Sequence, residues 1–319
     1  MPVETEVDPS SRLRSAFATL LDEGSTPFLQ QLCDQAVSRR WEAYHGLDWD
    51  SEGLRIEAGD PRCELPDWDP LRHTEWYADQ SPADRATIGL ARFAYAVIVA
   101  TAFETTIQRG LLLVAAQLPA ESLAWRFIYH ELVEEANHSL MFREFVARTG
   151  LDLAHPPTRD DSHVTQLAVE LPELFFLAAA AVEYVGDWYQ RKFVAAGAAV
   201  HPLITKICDI HSSEEARHLS FARQLLRTSV PRLDPAKRQM VEQLAPVAVV
   251  KYSKRMLIPP PEFAASVSVP SDVFEAAYQG EGQKERTRQA AQRTVALVEQ
   301  LRLVTPDNAP AWAEVASLA

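Results

Sequence analysis

The stretch His211-Ser212-Ser213-Glu214-Glu215-Ala216-Arg217-His218 decides how the rest of the chain is read. On a helix of about 3.6 residues per turn, positions 211, 215 and 218 fall on one stripe. Two imidazoles and a carboxylate then point one way, which is a spacing that suits a metal ion. A shorter version, Glu134-Glu135-Ala136-Asn137-His138, lies earlier, so Glu-x-x-His occurs twice in the chain.

Two single acids complete the pattern. Glu104 follows the run 93–103, which is apolar apart from Thr101, and Glu183 lies inside the apolar run 175–185. A carboxylate there is costly to bury without a partner or a metal. Residues on antiparallel helices stand level when they are equidistant from the turn, because both helices rise about 1.5 Å per residue. The midpoint of 104 and 135 falls at Pro119 and Ala120, in the break 118–122, and that of 183 and 215 falls at Ala199, in the turn 196–202. Both hairpins therefore bring their acids to one height.

The four-helix order Glu, Glu-x-x-His, Glu, His-x-x-x-Glu-x-x-His is that of a di-iron or di-manganese carboxylate site in a ferritin-like bundle. The expected fold is all-α, a ferritin-like four-helix bundle with additional N- and C-terminal helices, in a single domain over 1–319. The bundle core spans about 82–228, an N-terminal wrap 1–81 and peripheral C-terminal helices 231–319. A polar arm, 1–11, precedes a helical segment, 17–40, interrupted near Ser25-Thr26-Pro27. The stretch 41–82, rich in Asp, Pro and Trp, reads as a loop laid over the bundle. Helices follow over about 82–117, 123–148, 164 or 171–195, 203–228, 235–256, 271–278 and 283–303. Ser81-Pro82 marks one start, and the Gly- and Pro-containing segment 149–162 is the long connection between the halves.

Composition narrows the function. The formal charge of -13 argues against non-specific binding to nucleic acid or to an anionic membrane. Three cysteines, Cys33, Cys63 and Cys208, suggest neither a disulfide framework nor a thiolate metal site. The acidic start is no secretory signal, and the runs 93–103 and 174–182 are about half the roughly 20 residues of a membrane span. The expectation is a cytoplasmic protein with neither nucleic acid nor membrane as partner.

Carboxylates and imidazoles without thiolates suit iron or manganese better than structural zinc. Four carboxylates balance two divalent ions, and His211 is a donor beyond the usual two histidines. Glu134 and Glu214 each precede a site Glu and point about 100° away from it. They are placed to accept ring N–H groups from facing helices, Glu134 from His218 and Glu214 from His138, with Arg217 compensating charge. His130 and Glu131, one turn before Glu135, either extend the site or lie on the helix surface, and the surface is the first reading. His45, His73, His155, His163 and His201 receive no role.

The ligand order with the extra histidine, spaced 31 residues from Glu104 to Glu135 and 28 from Glu183 to His211, resembles the di-iron N-oxygenase family typified by p-aminobenzoate N-oxygenase. Asp48-Trp49-Asp50 adds to the resemblance, which covers roughly 35–280. It implies a homodimer with two iron ions, manganese being the alternative, that activates dioxygen with an external electron donor. The substrate would be a small-molecule amine, aryl or heteroaryl, oxygenated toward hydroxylamine, nitroso or nitro products, as in natural product biosynthesis. Carried over, Glu104, Glu135 and His138 would serve one iron and Glu183, Glu215, His218 and His211 the other, with Glu135 and Glu215 bridging. All seven would be both metal ligands and catalytic residues. The rivals are a di-iron carbon hydroxylase or desaturase acting on a small or carrier-bound substrate, and a non-catalytic iron-binding protein. The wall 96–103 offers no cation for a substrate carboxylate, so an Arg or Lys from elsewhere, for instance from the 217–255 region, would have to supply one.

Overall fold

The computed structural model describes residues 16–18, 20–21, 23–153, 162–313 and 315. The polar arm, His155 and the middle of the 149–162 connection lie outside the described residues. Among those described, the structure is helical with no strand. The principal helices are α1 (Thr26–Ser38), α2 (Pro82–Ala115), α3 (Leu123–Thr149), α4 (Ser162–Glu170), α5 (Pro172–Ala196), α6 (Pro202–Ser229), α7 (Pro235–Leu257), α8 (Ser271–Gln279) and α9 (Glu281–Gln300).

Helix starts follow local chemistry. Ser81 accepts from Asp84 N with Pro82 in the first turn, Ser122 accepts from Trp125 N, and Asp234 accepts from Ala236 N and Lys237 N. The third helix of the bundle, expected to open at 164 or 171, is divided at Leu171. Pro172 has no N–H to continue α4, and Leu171 leaves helical geometry at φ -147 and ψ 68. Gly197, at φ 53, turns α5 toward α6.

α2 pairs with α3 and α5 with α6, and the hairpins meet through α3 and α6. This is the ferritin-like bundle, with α1 against α3 and α6, α4 against α2, and α7 and α9 against α5. The loop-rich wrap is tied to α3: Asn137 Oδ1 accepts from Ala43 N at 3.3 Å and Arg148 Nη1 donates to Trp49 O at 2.8 Å. It also lies directly on α2, where a Cβ at Gly89 would overlap the Cys63 carbonyl oxygen.

Among the described residues the apolar core has two main bodies along the bundle, with a small third around Val185 and Leu257. One holds Leu111, Phe127, Phe176 and Phe221, the other Phe93, Phe142, Phe145 and Ile207. Between them lies a layer of buried polar side chains from 104, 131–138, 183 and 211–218. Contrary to the expectation from the apolar runs, α2 as a whole is long and apolar enough to cross a membrane. However, 67% of its most apolar window is buried inside the protein, where it faces the polar layer and both cores.

Candidate metal centre

Each bundle helix brings its acids or histidines to this layer on one stripe. Glu135 and His138 are 0% exposed and Glu215 and His218 1% exposed, so the innermost donors have no access to water. Glu104, Glu183 and His211 are buried as well. Two groups of donor atoms result, each within 4.8 Å of one another: Glu104, His138, His211 and Glu215, and Glu131, Glu135, Glu183 and His218.

Glu135 and Glu215 lie between the groups. Glu135 places Oε2 3.4 Å from His138 Nδ1 and Oε1 3.1 Å from His218 Nδ1. Glu215 places Oε1 3.5 Å from His138 Nδ1 and Oε2 3.3 Å from His218 Nδ1. Each carboxylate thus reaches both imidazoles with separate oxygens. His211 departs from the carried-over assignment: its Nε2 is 3.1 Å from Glu104 Oε1, so it belongs with Glu104 and His138.

The outer sides of the histidines are held as their spacing suggested. His218 Nε2 is 2.8 Å from Glu134 Oε2 and His138 Nε2 is 3.0 Å from Glu214 Oε2. Arg217 donates to Glu134 at 2.6 Å and to Glu214 at 3.4 Å, offsetting their charge. These contacts turn both Nδ1 atoms inward. The Nδ1 of His211 is 2.9 Å from Gln190 Oε1, a partner on α5 that sequence reasoning missed because a lone Gln carries no spacing signal.

Without a cation this layer holds more acids than it can ionise. Burial, then the Glu215 carboxylate, raises Glu183 well above the usual carboxylate range. Burial pushes Glu131 up to about 7. Burial would lower His138, but hydrogen bonds to Glu135 and Glu214 raise it to about 10. His218 is raised by Glu215 and Glu131 against its burial. Burial, then His138, lowers His211 to about 4.

A pair of metal ions fits these residues. Oε2 of Glu131 and Oε2 of Glu183 are buried without a hydrogen-bond partner, and both belong to the second group, where Glu135 Oε1 and Glu215 Oε2 reach only the shared Nδ1 of His218. Buried polar atoms are rarely left so unless something else binds them. Oxygen and imidazole donors without a thiolate match iron or manganese. Glu131 overturns its expected surface placement. It is 3% exposed, since its face of α3 turns into the bundle together with Glu135. The equal spacing of 131–135 and 211–215 could have revealed it. Of the remaining histidines, His45 pairs with Glu42 at the surface, His73 meets Asp67 O, and His201 caps α6.

Two narrow apolar cavities flank the layer between α2 and α5. One, of about 30 Å³, is lined by Phe103, Ile107, Phe175, Val182, Thr106 and Tyr252, and so adjoins both Glu104 and Glu183 along the chain. The other, of about 20 Å³, includes Ala96, Ala100, Gly186 and Gln190, the partner of His211. Neither lining includes a Lys or Arg. Arg255 stacks on the Phe103 ring at 4.8 Å.

Fold and layer together define a ferritin-like helical protein with two buried Glu/His clusters able to hold metal. The chain belongs to the p-aminobenzoate N-oxygenase AurF family, whose profile matches residues 22–302. It is also similar to uncharacterized proteins of Mycobacterium bovis and Mycobacterium tuberculosis. Each is 34% identical over 248 residues, covering 77% of this chain and 73% of its relative.

Proposed function

We propose that this protein is a non-haem di-iron oxygenase that uses dioxygen to oxygenate the nitrogen of an aryl or heteroaryl amine toward hydroxylamine, nitroso or nitro products. The observation that carries the reading is the pair of carboxylates, Glu135 and Glu215, each reaching both His138 and His218 in a layer closed to water. Family membership supports it. Glu104, Glu135, His138, Glu183, His211, Glu215 and His218 would hold two irons, which when bound supply dioxygen activation and redox equivalents.

The protein's part is to position, exclude and admit. Glu134 and Glu214 fix the ring orientations of His218 and His138, and Gln190 that of His211. The two apolar cores keep bulk water from the layer. Phe103, Phe175 and Tyr252 offer ring faces to an aromatic substrate. A cavity of about 30 Å³ holds about one water, so a substrate ring enters only when these side chains shift. Arg255, at the Phe103 ring, and Lys251, at the Tyr252 ring, are cations beside this lining for an anionic substituent.

The same reading treats 1–319 as one ferritin-like unit, working in the cytoplasm as a homodimer with an external electron donor and with neither nucleic acid nor membrane as partner. The alternative is carbon hydroxylation or desaturation, favoured by linings in which Thr106, Tyr252, Tyr189 and Gln190 are the polar members. Anaerobic loading with ferrous iron, then a pulse of oxygen with arylamines and mass analysis of products, separates the two. N-oxygenation expects about two irons per chain and oxidised nitrogen. Two irons with products hydroxylated only at carbon would sink the nitrogen assignment.

A further inference from the structure

The two donor groups correspond element by element. Glu104 on α2 answers to Glu183 on α5, His138 on α3 to His218 on α6, and Glu215 on α6 to Glu135 on α3. One position in each group is left: His211, four residues before Glu215, and Glu131, four residues before Glu135. His211 Nε2 lies 3.1 Å from Glu104 and 3.5 Å from Glu215, where it faces the metal position of its own group. Glu131 holds the matching place in the other group. Its Oε2 is buried and has no hydrogen-bond partner.

We propose that Glu131 is an eighth donor of the metal pair, a carboxylate bound to the metal that Glu135, Glu183 and His218 hold. The inference rests on the di-metal reading above. Each metal would then be held by the four side chains of its own group. The two differ in one donor, an imidazole from His211 on one side and a carboxylate from Glu131 on the other. The extra negative charge lies on the side of Glu183 and His218.

The test is an anaerobic titration of the metal-free full-length protein with ferrous iron, followed by near-infrared circular dichroism, whose ligand-field bands report the coordination of each ion. Wild type is expected to take two equivalents. In E131Q, whose amide has the shape of the carboxylic acid it replaces, one equivalent weakens at least about tenfold and the bands of one ion alone change. E131H, which places at 131 the donor found at 211, recovers that equivalent. Far-ultraviolet circular dichroism of the metal-free variants checks that they fold. The proposal is overturned if E131Q binds both irons as wild type does with the same bands. It is equally overturned if E131Q loses one iron and neither E131H nor E131D recovers it, since that marks a packing role. Wild type that binds no iron pair refutes the di-metal reading itself. Two irons without an oxygenated amine refute the proposed reaction and leave the role of Glu131 standing.

Discussion

His218 and Glu134 are joined at 2.8 Å across the α3–α6 interface, on the side of the imidazole away from the donor layer. The contact sets which ring nitrogen faces inward. Outer partners of this kind typically alter metal affinity by about 10–100-fold. Glu134→Gln should therefore weaken one of two iron equivalents by that factor, and also free Arg217 of its closest acceptor. Anaerobic iron titration with a colorimetric chelator as competitor reads the change, and unchanged affinity would mean that the brace is idle.

Metal removal should make stability depend on pH in a set direction. His138 is raised to about 10 and His218 is raised above its ordinary value, so between about pH 7 and 10 the folded metal-free protein binds more protons than the unfolded chain. The stability that these two histidines contribute is full below the unfolded histidine value and is lost as pH rises through the folded one. Bound metal displaces those protons and strengthens its hold as pH rises. The gap in Tm between iron-loaded and metal-free protein should widen from pH 7 to pH 9, and calorimetry at both pH values tests it.

A second buried charge cluster fastens the wrap to the C-terminal helices. Asp69, 1% exposed, lies 3.4 Å from Arg92 Nε on α2 and 3.9 Å from Arg286 Nη1 on α9, and accepts from Tyr278 Oη at 2.8 Å. One carboxylate thus serves two buried guanidinium groups. Asp69→Asn leaves both uncompensated and should cost about 3–5 kcal/mol, the range for removing one partner of a buried pair. Urea denaturation of the metal-free protein measures it, and a loss below about 1 kcal/mol would show that water already screens the cluster.

Tyr252 on α7 meets Phe103 at 5.7 Å between ring centroids and closes the larger cavity from outside the bundle. Tyr252→Ala should enlarge that space without touching a donor residue. The ratio of kcat/KM for a bicyclic over a monocyclic arylamine is expected to rise roughly tenfold, the scale on which apolar pockets discriminate by size. Iron content should stay at the wild-type value. An unchanged ratio would place substrate entry elsewhere, with the cavity of Ala96 and Gly186 the next to examine.

By itself the sequence determined what depends on distance along the chain. Helical periodicity put 211, 215 and 218 on one stripe and 135 and 138 on another, and equal distances from two turns brought the hairpins level. The offset of Glu134 and Glu214 from their neighbours was enough to pair each with a histidine on the facing helix. Tertiary structure alone decided which stripes meet and what lies behind them. Spacing puts Glu131 on the stripe of Glu135, but how far along α3 that stripe stays covered is set by α5 and α6, which bring Glu183 and His218 to it. His211 joins Glu104 rather than Glu183 because side chains on adjoining helices select neighbours by how the helices pack, a property of the assembled bundle. The cavities beside Phe103 and Ala96 exist where α2 and α5 stand apart under α7, a separation that no local pattern records.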